Sequence, residues 1–508
     1  MTDAESRTRG RTLVSGVAWN AAGRGLPLLL ALALTPVLVA LMGIERWGLF
    51  TLALAMVGVF GVFDFGVGQA LTRAISERIG AGRGEEAPGL VGAALATLLG
   101  ISLVMAAALW AFVPALVERI LNVPPALQAE AVAAMRVLTA AAPLVVVNAA
   151  LWGVLAAYQR FRAANLVTMP VSLFYYLGPV LTLLVWDSLV GAMLALVACR
   201  LANTLSYAWL LRGALPGPVF RGLRLRRALP LLRLGGWMTF AGMLTQALLY
   251  ADRFLIGALV SLAAVAFYAT PLDLVMRAWI LPVAVAQALL PAMSSAYATL
   301  PRQTADLLRR GALLVMALVL PACLVLAGGA REILLLWLGA EFAAGGARVL
   351  QILAVGIFFS CVAFAPAALL DAIGRPDVTA RFVLAQALLF LPLSALLLLW
   401  QGIEGAAAAW ALRAAVDCLG KLVLAARLYP AAAEAARRLA APLLAGGLGV
   451  LALLPLAGWP ALAGVGGAAL LAFALLALRA LAAEERRGLR ALLRNPQAAL
   501  RPSGLTGA

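Results

Sequence analysis

Ten ionisable side chains interrupt long apolar stretches of this 508-residue chain: the cations Arg24, Arg200, Arg253, Arg277, Arg413 and Lys421, and the anions Asp64, Asp252, Asp273 and Asp417. An ionised group in hydrocarbon costs at least about 2.5–3.5 kcal/mol on insertion scales, so each must meet a counter-charge, a watery cavity or a ligand. Spacing sorts them. Asp273 and Arg277 stand four residues apart, and Arg413, Asp417 and Lys421 form an i, i+4, i+8 ladder, so both sets can pair along one helix face. Arg24 and Arg200 have no acidic neighbour within a helical turn and are the better candidates for an anion site, the competing reading being a tertiary pairing with Asp64 or Asp252. Asp64 also lacks a helical partner, which makes it the candidate for a protonatable coupling group, against the simpler role of a cap near a membrane end.

The embedded charges leave a net +2. A guanidinium binds phosphate oxygens bidentately and stays charged, so arginine at mid-membrane suits a ligand carrying phosphate. With a single lysine among 39 basic residues, however, arginine is this chain's default cation.

Other chemistries drop out. There is no histidine, which removes imidazole proton shuttles, His metal sites and Ser/His or Cys/His pairs. The one lysine, Lys421, has neither the leading glycine nor the following Ser/Thr of a phosphate-binding P-loop. Cys199, Cys323, Cys361 and Cys418 lie in apolar stretches without a CxxC pair and read as small buried hydrophobes. No catalytic constellation, metal site or cofactor is expected.

The elements that hold these charges follow from composition. The chain is 64% apolar and only 12% charged, with a mean hydropathy of +1.01, whereas a soluble domain is about half apolar and a quarter charged. Its solvent is therefore lipid. At about 20 apolar residues per crossing, spans are expected near 13–39, 47–73, 90–113, 131–158, 163–186, 189–212, 231–258, 262–296, 306–328, 346–371, 379–400, 404–427, 439–457 and 461–481. The fold class is an all-α polytopic membrane protein of about fourteen transmembrane helices. The first apolar run is too long for a cleaved signal peptide and leads directly into further spans.

Sorting the basic residues by side, 28 lie in segments on the side of the N-terminus, against five on the other: Arg46, Arg119, Arg136, Arg331 and Arg348. That bias places both termini in the cytoplasm. The formal charge of +17 is mostly a topology signal, and no basic, non-apolar domain exists to bind nucleic acid.

Landmarks recur along the chain. Trp19 to Phe50 and Trp237 to Tyr268 each span 31 residues, and Glu118-Arg119-Ile120-Leu121 with Arg136-Val137-Leu138 is echoed by Arg331-Glu332-Ile333-Leu334 with Arg348-Val349-Leu350. Internal repeats are the mark of transporter architectures. The expected organisation is a lobe of six spans at 1–213, a basic cytoplasmic linker at 214–230, a second six-span lobe at 231–428, two further spans at 429–482 and a cytoplasmic tail at 483–508. The segments 114–130 and 329–346 have room for short interfacial helices.

Several stretches resemble a known family. Ser15-Gly16-Val17-Ala18-Trp19-Asn20, Trp47-Gly48-Leu49-Phe50, Phe63-Asp64-Phe65-Gly66-Val67-Gly68-Gln69-Ala70-Leu71-Thr72-Arg73, Ala251-Asp252-Arg253-Phe254-Leu255-Ile256-Gly257, Ala372-Ile373-Gly374-Arg375 and Gly402-Ile403-Glu404-Gly405-Ala406-Ala407 look like the polysaccharide biosynthesis flippases. These are the O-antigen and exopolysaccharide exporters of the multidrug/oligosaccharidyl-lipid/polysaccharide (MOP) superfamily. The resemblance covers residues 13 to about 428. It implies two six-helix lobes in a V around a central cavity, alternating access, and undecaprenyl-pyrophosphate-linked oligosaccharide as cargo in the bacterial inner membrane. It also implies membrane lipids, a polysaccharide polymerase and glycosyltransferases as partners, in lipopolysaccharide or exopolysaccharide assembly. Arg24 is the position carried over from the family's cationic cavity, with Arg200, Arg277, Arg413 and Lys421 as further candidates. Asp64, Asp252, Asp273 and Asp417 are candidates for coupling or charge pairing. The alternatives are a lipid II flippase, whose early Asp-Ala-Phe and Pro-Asn patterns are missing, or an ion-coupled multidrug antiporter, whose acidic residues would here be matched by arginines. From another class, the alternative is a non-transporting scaffold of a polysaccharide synthase complex.

Overall fold

In hydrocarbon every backbone N–H and C=O needs an internal partner, and for a chain with long apolar runs the α-helix supplies it. The computed structural model describes residues 3–60, 67–219, 246, 248–456, 458–481 and 486, and among these there is helix and no strand. In chain order the helices are α1 (Asp3–Phe60), α2 (Val67–Gly80), α3 (Ala87–Ala115), α4 (Pro125–Ala140), α5 (Ala142–Ala157), α6 (Phe161–Val185), α7 (Leu189–Arg212), α8 (248–259), α9 (Leu262–Met276), α10 (Ile280–Ala296), α11 (Pro301–Gly328), α12 (Ala330–Leu338), α13 (Ala340–Val362), α14 (Phe364–Ala372), α15 (Pro376–Leu428), α16 (Ala433–Leu451) and α17 (Trp459–Ala480).

Ten described segments are long and apolar enough to cross a membrane. Two of these, α1 and α15, run far past one crossing and are broken at Gly43 (φ 75°, ψ 169°) and Gly402 (φ 62°, ψ −148°). Only glycine adopts such angles cheaply, so each glycine divides one continuous apolar run into two passes. The nineteen residues of α16 make a thirteenth pass, and of the span expected at 231–258 only the end, α8, lies among the described residues.

Boundaries differ in places. The span expected at 47–73 is helical to Phe60 and again from Val67, with 61–66 outside the described residues. The span expected at 439–457 is α16, displaced toward Ala433. Its first turns absorb three charges, Glu434, Arg437 and Arg438, because Arg438 pairs with Glu434 one turn away, and it stops before Pro455 and Gly458, residues that end helices. Of the two stretches with room for short helices, 329–346 contains α12, and 114–130 contains a π-turn at Leu116–Ile120. Of the echoing sequences, 118–138 includes the break between the π-turn and α4, and 331–350 the break at Gly339 between nine-residue α12 and α13.

By packing the chain divides into two units, one of Met1–Thr270 with Val383–Ile403, the other of Pro271–Phe382 with Glu404–Ala508. In the first, Leu71, Ile75, Leu90, Leu98, Leu151, Val154 and Leu211 form a buried core joining α2, α3, α5 and α7. Close helix approach there depends on absent side chains: a Cβ on Gly48 would lie 2.0 Å from the Leu262 carbonyl oxygen. Beside it, Trp47 donates its indole N–H to Thr270 Oγ1 at 2.8 Å. Just past the Gly43 break, Arg46 bonds Glu130 at 3.0 Å and Asp187 at 2.9 Å, and Glu130 also accepts the Leu189 N–H opening α7. One cation thereby fastens α1 to the starts of α4 and α7. In the second unit α11 packs against α10, α13 and α16, and its buried Arg309 donates to the Ala480 carbonyl at the end of α17 and to Asp306.

Candidate functional site

The first unit contains a polar cavity of about 360 Å³ between α5, α6 and α7, lined among others by Asn148, Thr168, Tyr175, Tyr176, Arg200 and Asn203. Among the described residues, Arg200 is its single charged lining residue. Helical spacing builds this site: Arg200 and Asn203 project from one face of α7, and Thr168, Ser172 and Tyr175 recur at three or four residues along α6.

The cavity's hydrogen bonds are partly spent. Arg200 Nη2 donates to Tyr175 Oη at 3.2 Å, and the guanidinium carbon lies 5.5 Å from the Tyr175 ring centroid. The Arg200 Nε–H and Asn203 Oδ1 are buried without a protein partner. Tyr175 and Tyr176 meet edge to face at 5.6 Å, which fixes the ring that Arg200 leans on. Thr168 Oγ1 donates to the Ala164 carbonyl at 2.9 Å, so its 2.6 Å contact with Tyr207 must use the tyrosine proton. Asn148 Nδ2 donates to Thr204 Oγ1 at 3.3 Å, and Thr204 donates to the Arg200 carbonyl at 2.9 Å. Framework hydroxyls and amides are thus committed to one another, whereas Arg200 keeps donor capacity. At roughly 30 Å³ per heavy atom, the share of a water in the liquid, the cavity holds about a dozen atoms. That is the size of a diphosphate with its nearest neighbours and much smaller than an oligosaccharide.

The other residues singled out from the sequence fall in different settings. The Arg24 side chain and Asp64 lie outside the described residues. Asp252 is buried, accepting from Ser394 Oγ at 2.7 Å and from the Tyr268 hydroxyl at 3.0 Å, and neighbouring Arg253, also buried, lies over the Tyr250 ring. In the second unit the i, i+4 relation expected of Asp273 and Arg277 meets a change of helix type, since α9 ends at Met276 and Arg277 opens a 3-10 turn, Arg277–Trp279. The ladder on α15 places its ion pair at the lower rung, with Lys421 Nζ 2.7 Å from Asp417 Oδ2, whereas Arg413 sits 6.0 Å over the Trp410 ring. Lys421 also acts electrostatically on Asp371 of α14.

A search for charges alone misses Tyr175, Tyr176, Asn148 and Asn203. The available signal was the polar stripe around Arg200, with Asn203 and Thr204 one turn on in an otherwise apolar span.

Many apolar crossings, with an arginine-bearing cavity among three of them, are the features of a multi-pass membrane transporter. The chain belongs to the polysaccharide biosynthesis protein family, whose profile matches residues 13–297. It is 25% identical over 413 residues to the "Putative O-antigen transporter" of Shigella flexneri, covering 80% of this chain and 96% of that one. In fold it is similar to an inward-facing multidrug resistance MATE family transporter of the MOP superfamily (TM-score 0.68, 15% identity, 80% of this chain and 96% of the other). It is also similar to the lipid II flippase MurJ in an inward closed conformation (TM-score 0.66, 13% identity, 91% and 99%). The all-helical membrane fold expected from the sequence is therefore shared with these two solved structures.

Proposed function

We propose that the chain is a flippase that moves undecaprenyl-pyrophosphate-linked oligosaccharide from the cytoplasmic to the periplasmic leaflet of a bacterial inner membrane by alternating access, with both termini cytoplasmic. The observation that carries this reading is Arg200: a guanidinium within an apolar span, fixed by one phenol, with donors left for an anion. The family membership and the Shigella relative support the glycan, and the cavity's size suits the diphosphate rather than the sugars. In this reading 1–213 and 231–428 are the repeated lobes, Arg24 is a second anion-binding position, and Arg277 and Arg413 are secondary ones. Lys421, paired with Asp417, chiefly offsets charge. Two negative charges moving outward across 100 mV gain roughly 4–5 kcal/mol, so no nucleotide hydrolysis is required.

Purified protein in liposomes tests the proposal. Fluorescent lipid-linked oligosaccharide should change leaflet faster than in protein-free vesicles, and an outside-positive potential should speed its passage from the inner to the outer leaflet. Cargo that crosses no faster with protein than without overturns the flippase reading and leaves the scaffold. Dye efflux driven by a cation gradient, with no glycan movement, identifies a drug antiporter.

A further inference from the structure

The first unit holds a second cavity, about 770 Å³, between α3, α5 and the Arg212 end of α7. Its walls are apolar, from Leu95 and Leu99, Val147 and Leu151, and Ala208 and Leu215, and among the described residues the one charged member of the lining is the exposed Arg212. The two cavities share a wall. Thr204 lines the apolar cavity and Asn148 the polar one, and these are the residues joined by the 3.3 Å hydrogen bond. Arg212 and Arg200 are twelve residues apart on α7, about 18 Å at helical rise.

We propose that the apolar cavity docks the lipid carrier before translocation, receiving the phosphate-proximal isoprenoid units of a polyisoprenyl phosphate with the phosphate on Arg212. This deepens the reading of Arg200 as a phosphate station and rests on it. Charge complementarity selects an anionic amphiphile, since among the described residues the lining has one cation and no acidic residue. Volume selects a single chain: at about 30 Å³ per atom the space holds on the order of 25 carbon-sized atoms, about five isoprene units. Continuity selects the carrier over a bulk phospholipid, because the wall behind the cavity is also the wall of the polar site. A phosphate leaving Arg212 meets its next guanidinium at Arg200, along a face of α7 that carries Thr204, Ala208 and Leu211.

The test uses the full chain in nanodiscs with two photoactivatable probes, a diazirine-bearing polyprenyl phosphate without sugar and a phosphatidylglycerol bearing the same group. The polyprenyl probe should label residues 95–99 and 204–219, and unlabelled undecaprenyl phosphate should compete while phosphatidylglycerol does not. Ala208→Trp fills the space and should cut labelling about tenfold or more. Arg212→Gln leaves the cavity's shape and should weaken labelling as well, so the test survives if the tryptophan variant fails to fold. Arg200→Leu should retain the label. Equal labelling of these residues by both probes, or polyprenyl labelling elsewhere, overturns the proposal. Absence of polyprenyl labelling at this cavity, with flipping still weakened by Arg200→Leu, defeats the docking site alone. Intact labelling with normal flipping in Arg200→Leu defeats the Arg200 station instead.

Discussion

Replacing Arg200 with leucine removes the guanidinium while keeping an apolar side chain in the span. The structure sets the stability balance. The side chain contributes one hydrogen bond to a neutral phenol, a net of about 0.5–1.5 kcal/mol, and one cation–π contact of roughly 0.5–2 kcal/mol. Against this stands a cost of about 2.5–3.5 kcal/mol for holding the charge in the span. These terms nearly cancel, so Arg200→Leu should fold within about 1 kcal/mol of the parent, and its thermal midpoint in detergent should barely move. Cargo binding loses more. A hydrogen bond to a charged group contributes about 1.5–3 kcal/mol, and loss of one corresponds to roughly 10- to 150-fold weaker binding. Leaflet exchange of fluorescent lipid-linked oligosaccharide, measured against cargo concentration, should show this as a raised half-saturation. Arg200→Lys, which keeps the charge and loses the fork, should fall between. The reasoning is refuted if Arg200→Leu transports within about twofold of the parent, or if it unfolds with a loss above about 3 kcal/mol, the size expected for a broken buried ion pair.

Gly402→Ala forces a Cβ onto φ 62°, ψ −148° with no steric neighbour nearby, so strain alone should cost about 1–3 kcal/mol, read as a lower thermal midpoint; an unchanged midpoint would mean that the break in α15 is not there. Trp47→Phe and Thr270→Val should each weaken the fold by about 1 kcal/mol and together by less than the sum, a coupling of about 0.5–1.5 kcal/mol in a double-mutant cycle. In a background lacking the four native cysteines, an impermeant maleimide added to intact spheroplasts should label Asp187→Cys and spare Pro216→Cys, and the reverse pattern would invert the topology.

Hydropathy and charge asymmetry made the helical passes legible, because crossing a bilayer imposes one length and one secondary structure on the chain. Glycine breaks were visible only as sequence turns, since nothing in the composition announces that Gly43 and Gly402 take angles closed to other residues. The α16 boundary shifted because a paired charge can enter a helix's first turns, which counting apolar residues overlooks. At the candidate site the arginine was legible and its surroundings were not. Tyr175 and Asn148 come from helices other than that of Arg200, and their convergence is a tertiary fact. The i, i+4 rule located the Asp417–Lys421 pair, which is local, but placed Arg277 on an α-helix that ends one residue before it.

The contrast among the embedded cations of described environment sharpens what a net charge of +2 can mean. Lys421 is met by Asp417 along its own helix, Arg413 leans on Trp410, and Arg200 touches one phenol at the edge of an open polar space. Hydropathy counts these alike, and an arginine-biased composition makes their residue type uninformative. What distinguishes Arg200 is a guanidinium N–H buried without a protein partner beside a cavity. A guanidinium has five N–H donors, and in hydrocarbon an unspent donor costs more than it does in water. A site that retains some of that cost is suited to exchange it for an anion, and the release of that cost on binding favours the bound state. For a transporter the cost also sets a limit, because a fully satisfied arginine would hold nothing and one buried with no partner at all would not let go. Arg200, half-buried and partly bonded, lies between those limits.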